Sequence, residues 1–186
     1  MKILRTDIPD VLIIEPAVYS DDRGWFMESF NEEVFANNLE ALGLPAAGPF
    51  VQDNHSSSKR GVLRGLHYQE APYAQGKLVR VVEGAAFDVV VDIRPESPYF
   101  LKWVGVELSN FNKKMLWVPE GFAHGFLSLE DNTQFLYKTT NYYNKSSERS
   151  LLWSDSRIGI EWPAMENVIV SEKDRVAEVS LDSLFK

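Results

Sequence analysis

Apolar and polar residues alternate with a period of two through most of the middle of this chain. In "FDVVVDIR", Phe87, Val89, Val91 and Ile93 fall on one face of an extended segment. In "KWVGVELS", Val104, Val106 and Leu108 do the same, as expected of β-strands that turn one face to a core. "KLVRVVEGAAFDVVV" reads as two strands joined near Glu83-Gly84. "HGFLSL" and "TQFLYKTTNYY" continue the pattern, with Glu130-Asp131-Asn132 as the turn between them. One helix is expected near the N-terminus, in "SFNEEVFANNLEALGL". There Ser29 with Glu32 three residues later fits a capping box, and Val34, Phe35, Leu39 and Leu42 approximate an apolar stripe. Gly43 and Pro45 would end it. From Leu151 the pattern loosens, which predicts a segment packed against the outside. Many short strands at regular spacing predict an all-β, double-sheet architecture with a helical decoration, not a parallel sheet with intervening helices. With no linker, repeat or low-complexity tract, residues 1–186 read as a single domain.

Composition narrows this picture. A chain of 186 residues that is 45% hydrophobic is long enough for one substantial core. It has no cysteine, which excludes disulfides and thiolate metal sites and permits a reducing compartment. The opening "MKILRTDIPDVLII" has short apolar pieces broken by Arg5, Asp7 and Asp10, and reads as neither a secretory signal nor a membrane span. A cytoplasmic protein without a membrane partner is expected. The net charge of -8 argues against nucleic-acid binding, which uses a basic surface. An anionic small molecule stays possible where a few Arg and Lys residues converge, because a site needs only local sign.

One stretch does not fit a plain core strand. "GVLRGLHYQ", from Gly61 to Gln69, places Arg64 and His67 inside an apolar, glycine-punctuated run. The chain has three histidines. His55, in the polar "DNHSSSKRG", reads as a loop residue, whereas His67 and His124 sit among apolar residues and fit the wall of a cavity. Two histidines and an unassigned carboxylate fall short of the three or four ligands of a typical transition-metal site, so no metal is expected. Acid–base chemistry remains: a histidine titrates near neutrality and works best with a carboxylate that holds its tautomer. On a regular strand Arg64 and His67 would point to opposite faces. If both serve one cavity, Gly65 must mark a bulge or bend. Among the tyrosines of "FLYKTTNYY", one could donate a proton and another stack on a base.

These segments resemble a known family. "FVQDNHSSSKRGVLRGLHYQ", "YAQGKLVRVVEGAAFDVVVDIR", "VPEGFAHGF" and "YKTTNYY", with "DDRGWFMESFN" and "VSEKD", are similar to the dTDP-4-dehydrorhamnose 3,5-epimerases, over about Asp7 to Asp174. The resemblance implies a cupin-like jelly roll, a homodimer and a reaction without metal or other cofactor. The substrate would be a dTDP-4-keto-6-deoxy sugar and the product dTDP-4-dehydro-β-L-rhamnose. It further implies that His67 is the base, Asp174 its carboxylate partner and Tyr137 the proton donor across the sugar. Lys77 and Arg64 match residues around the sugar and diphosphate. Arg23, Glu28, Gln52, Asp53, Asn54, His124, Glu148 and Lys173 match further substrate contacts, and Tyr143 the residue that stacks on thymine. An exchange of the N-terminal segment between subunits would let Arg23 and Glu28 complete the neighbour's site. The alternatives are a mono-epimerase of another dTDP-deoxysugar route, a non-catalytic sugar-nucleotide binding module and a metal-dependent cupin oxygenase.

Overall fold

The structure, a computed structural model, describes residues 1–177 and 179–185. Eleven strands form two antiparallel sheets packed face to face. The six-stranded sheet runs β1 (Lys2–Arg5), β2 (Leu12–Glu15), β10 (Met115–Val118), β7 (Lys77–Glu83), β12 (Thr133–Thr139), β5 (Gln52–Ser58). The five-stranded sheet runs β13 (Glu148–Ser150), β6 (Leu63–Gln69), β11 (Phe122–Ser128), β8 (Ala85–Asp92), β9 (Trp103–Ser109). Strands β3 (Val18–Asp21) and β4 (Gly24–Met27) form a separate two-stranded ribbon. This is the all-β double sheet expected from the pattern, in the cupin-like form that the resemblance implies.

Strand alternation divides the apolar residues among three layers. Between the sheets, Val79, Val81, Leu116 and Phe135 meet Ala86, Val90, Val106 and Phe126. On the outer side of the five-stranded sheet, Val89, Val91 and Ile93 pack with Leu151, Ile158 and Leu181. The face read from "FDVVVDIR" is therefore an outer one, covered by the irregular segment after Leu151. Val104, Val106 and Leu108 face inward. Because both faces of β8 are covered, it is nearly buried end to end. Gly84 (φ 75°) and the turn before Thr133, where Asn132 has φ 56°, each pass the chain from one sheet to the other. The two readings of a joint at these places hold, and the joints link different sheets.

Helix α1 (Glu32–Ala41) seals the outer side of the six-stranded sheet, burying Phe35 and Leu39 against Leu12, Ile14, Leu78 and Trp117. Its N-cap is Asn31, not Ser29: the Asn31 side chain accepts from Val34 N at 3.1 Å. The amide nitrogen of Asn31 donates to Glu28 at 3.3 Å, which orients that cap. The end is as expected. Gly43 lies in the left-handed region at φ 67°, and Leu44 N and Gly43 N bond back to Leu39 O and Glu40 O, a Schellman closure. A shorter helix, α2 (Glu172–Val176), is capped by Ser171 and lies against β6. No described helix is long and apolar enough to cross a membrane.

Candidate active site

A cavity of about 630 Å³ opens between the sheets, walled by β5, β7 and β12 on one side, β6, β11 and β13 on the other, and by residues 169–174. Arg64 and His67 both line it. The register explains how. His67 pairs with His124 and Arg64 with Phe126, so three steps along β6 match two along β11. One extra residue sits in β6, and it turns both side chains to the same space. The bulge requires glycine. Gly65 has φ 127°, and a Cβ there would come within 2.5 Å of Gly125 Cα and 2.9 Å of His124 O. A Cβ on Gly125 would lie 2.7 Å from Arg64 O. The two glycines let the strand backbones touch.

Asp174 reaches this space from α2. Its carboxylate is buried and lies 2.5 Å from His67 Nε2. Burial pulls the Asp174 carboxyl up, but hydrogen bonds from His67 and Ser171, the charge of His67 and the Gly65 backbone N–H together hold it below the ordinary range. Nε2 is thereby committed, and among the described residues His67 Nδ1 has no protein partner. Lys77, at the start of β7, is buried, and its Nζ donates to His67 O at 3.3 Å. Burial pushes Lys77 down to about 8, against the opposing pull of Asp88 and Glu148. Tyr137 enters from β12 in the opposite sheet. Burial raises its phenol, helped by the charge of Glu148 and opposed by Arg64. It stays protonated at neutral pH.

His67 and Tyr137 therefore project from facing sheets, which pack about 10 Å apart.

A second polar cluster lies at the rim. Glu148 Oε2 accepts from Lys173 Nζ at 2.5 Å and from Tyr143 OH at 2.9 Å. Burial raises the Glu148 carboxyl, yet the bonds from Lys173 and Tyr143 and the charges of Lys173 and His67 outweigh it and leave it lowered. Tyr143 is half-exposed, on a loop pinned by Gln69, whose side chain accepts from Asn144 N at 2.7 Å and donates to Tyr142 O at 3.2 Å. Gln52 and Asn54 face the cavity from β5 and bond each other at 2.9 Å, and Gln52 Oε1 accepts from Tyr143 N at 3.1 Å. Arg64 donates to Ser58 Oγ at 3.2 Å and Ser57 O at 3.3 Å, which tethers it beside them.

Three of the expected site residues do not share this cavity. Asp53 stands between Gln52 and Asn54, so the pleat turns it to the outer face of the sheet, where it pairs with Lys138 at 3.0 Å. Arg23 is at the exposed turn of the β3–β4 ribbon, paired with Asp21 at 2.5 Å. Glu28 follows β4 and holds the α1 cap. The expectation also missed Asp88. Its carboxylate is fully buried and bonded to His124 Nε2 at 3.0 and 2.9 Å. The signal was present, since Asp88 is an acid in an otherwise apolar run. Among the described residues no group of three or more His, Asp or Glu side chains is placed to hold a metal ion.

Comparison with known proteins places this cavity in context. The model of the dTDP-4-dehydrorhamnose 3,5-epimerase family matches residues 5–181. The chain is 61% identical over 174 residues to a dTDP-4-dehydrorhamnose 3,5-epimerase of Shigella flexneri, covering 94% of this chain and 93% of that protein. It superimposes on a dTDP-6-deoxy-D-glucose-3,5-epimerase of Legionella pneumophila, solved in complex with dTDP-4-keto-L-rhamnose, with a TM-score of 0.88 and 49% identity over 95% of this chain and 90% of that one. With an epimerase of Mycobacterium tuberculosis the TM-score is 0.91 at 35% identity, over 99% of this chain and 90% of that one.

Proposed function

Because the chain belongs to the dTDP-4-dehydrorhamnose 3,5-epimerase family, we propose a division of labour among its cavity residues for that reaction. The protein epimerises dTDP-4-dehydro-6-deoxy-D-glucose at C3 and C5 to dTDP-4-dehydro-β-L-rhamnose, a step of rhamnose biosynthesis. The C4 ketone acidifies the hydrogens on both neighbouring carbons. His67 removes one of them, with the imidazolium so formed held by the Asp174 carboxylate. The electron pair moves into an enolate whose charge rests on the C4 oxygen. Lys77 faces that oxygen as an ammonium, a preorganised charge placed where charge develops. Tyr137 then delivers its proton to the opposite face of the same carbon, and solvent reprotonates Tyr137 and deprotonates His67 before the second carbon reacts. Arg64 takes the diphosphate, which its planar donors suit. Tyr143 stacks on thymine, with His124, Gln52, Asn54, Glu148 and Lys173 as further contacts.

The observation that carries this reading is the approach of His67 and Tyr137 from facing sheets into one cavity. Inversion needs groups on both sides of a ring, and entry from different sheets supports these two roles.

Residues 1–186 work as one cytoplasmic domain, and two copies form the working unit. The β3–β4 ribbon supports the second point. It leaves Tyr19, Trp25 and Phe26 more than half exposed, and a two-stranded ribbon without a sheet to join is marginal by itself. A partner subunit that takes up this arm would bury those aromatics and receive Arg23 and Glu28 at its cavity.

The deciding experiment is ¹H NMR in D₂O with dTDP-4-keto-6-deoxyglucose as substrate. Tyr137 and His67 exchange with solvent, so the expected result is loss of both the C3 and C5 proton signals, with product that a rhamnose-forming reductase accepts. Exchange at one carbon would instead make this a mono-epimerase, and binding without exchange a sugar-nucleotide binding module.

A further inference from the structure

We propose that Asp88, which does not line the cavity, is a positioning residue for the epimerisation: its buried carboxylate fixes the tautomer of His124 and supplies the negative charge that faces the Lys77 ammonium across the inter-sheet space.

The geometry has two parts. Asp88 shares its strand face with Ala86 and Val90, which point into the inter-sheet core. Lys77 shares its face with Val79 and Val81, which point into that core from the other sheet. An acid and a base thus enter one apolar layer from opposite walls. Second, both oxygens of Asp88 are within reach of a single donor, His124 Nε2. A carboxylate that accepts there requires Nε2–H, so a neutral His124 has an unprotonated Nδ1. His124 lines the cavity beside His67, its direct partner in the β6–β11 register. The neighbouring pair is built the same way, with His67 Nε2 committed to Asp174.

The charges are mutually supportive. Burial pushes the Asp88 carboxyl up, while the charge and hydrogen bond of His124 and the Lys77 ammonium pull it back. Burial pushes Lys77 down to about 8, while Asp88 and Glu148 pull it back. The groups around Lys77 come from several elements. Glu148 on β13 is bonded at 2.5 Å to Lys173 of α2, so much of its charge is already answered. Arg64 on β6 adds positive charge to the same cavity, and His67 offers Lys77 only its backbone carbonyl. Tyr137 on β12 is protonated. Asp88 is the other anion that pulls on Lys77, and it enters the same inter-sheet layer from the opposite wall. An ammonium sitting near its own midpoint is sensitive to the loss of one such charge.

This inference rests on the reading of Lys77 as the group that faces the enolate oxygen. The test is the pH dependence of kcat/KM for the parent and for Asp88→Asn, a near-isosteric neutral replacement. The parent should lose activity through a basic limb near pH 8. In Asp88→Asn that limb should move down by about one unit or more, the effect of an opposite charge removed from a buried neighbour, with the dTDP affinity retained. A limb that stays in place, whatever the overall rate, overturns the proposal. If the variant does not fold, the parent answers the question. The ¹³Cγ signal of Asp88 should shift through the same midpoint as the Lys77 Nζ resonance, and a signal that ignores the Lys77 titration overturns it equally. A separate variant, Lys77→Met, keeps the two readings apart. Parental turnover there removes the role of Lys77 and this inference with it, whereas an unmoved limb in Asp88→Asn removes only the second.

Discussion

Replacing Asp174 by Asn tests the chemistry at the point where the structure is most specific. The side chain is almost the same size, so packing in its buried position should survive. What changes is bonding. As a carboxylate, Asp174 serves His67, Ser171 and the Gly65 N–H together, and an amide has one acceptor oxygen in place of two. One of those bonds must be surrendered. If the oxygen stays with His67, the loss is the charge in a buried hydrogen bond, about 1.5–3 kcal/mol. At 1.36 kcal/mol per decade this predicts a fall in kcat/KM of roughly 10- to 150-fold. If the oxygen turns to Gly65 and the NH₂ meets Nε2, the proton moves to Nδ1 and the base is blocked, which raises the loss toward ~10⁴-fold. Because the Asp174 carboxyl is held below its ordinary value, it is ionised throughout the neutral range. The deficit of the variant should therefore persist across that range, and the parent should lose the help of Asp174 only at acidic pH below the ordinary carboxylate range. The assay is deuterium wash-in at C3 and C5 by NMR, with dTDP calorimetry as the control for folding and nucleotide binding. One base serves both carbons, so both rates should fall together. Parental exchange, or a loss confined to one carbon, would refute the assignment of a single His67–Asp174 base.

Tyr137→Phe should leave proton removal working, so deuterium still enters from the His67 side, while inversion slows by about 10²–10⁴-fold; product of normal configuration at a normal rate would remove Tyr137 as donor. Gly65→Ala puts a methyl group against Gly125 and His124 at a φ of 127°. Overpacking and backbone strain, each about 1–3 kcal/mol, should lower stability in urea by roughly 2–6 kcal/mol, and an unchanged midpoint would contradict the close approach of β6 and β11. Arg23→Ala and His67→Asn proteins, each impaired alone, should regain activity when mixed and refolded together, because a hybrid dimer rebuilds one complete site. A fully active monomer at assay concentration would rule out a shared site.

The chain's own pattern was enough for the middle strands, the first helix and the fold class; it read His55 as a loop residue, whereas the polar run Gln52–Ser58 forms strand β5, and it gave no sign of the β3–β4 ribbon or of α2. Alternation in "FDVVVDIR" and "KWVGVELS" follows from the period of a strand, and Gly43 ends α1 because the left-handed conformation suits it. Sequence resemblance likewise picked out His67, Asp174, Lys77 and Tyr137, all of which line the cavity. Some of the local detail could not be read that way. Ser29 and Asn31 are both capping residues, and only the hydrogen bond to Val34 N chooses between them. Alternation says that two faces of β8 exist, but which of them is covered by the segment after Leu151 depends on chain packing far away in sequence. Asp53 is similar in kind to its neighbours Gln52 and Asn54, and the pleat alone sends it to the other side of the sheet. The bulge at Gly65 was inferred from the need to bring Arg64 and His67 together, yet its cause is the contact with Gly125, sixty positions later. Asp88 shows the same limit: its neighbours along the chain mark it as an acid in an apolar run, and only the pairing of β8 with β11 and the packing of the two sheets bring it to His124 and into the layer that Lys77 enters. Local periodicity is a property of the backbone and can be read from any segment. The sharing of a cavity is decided by which strands meet, and that is settled by the packing of the whole chain.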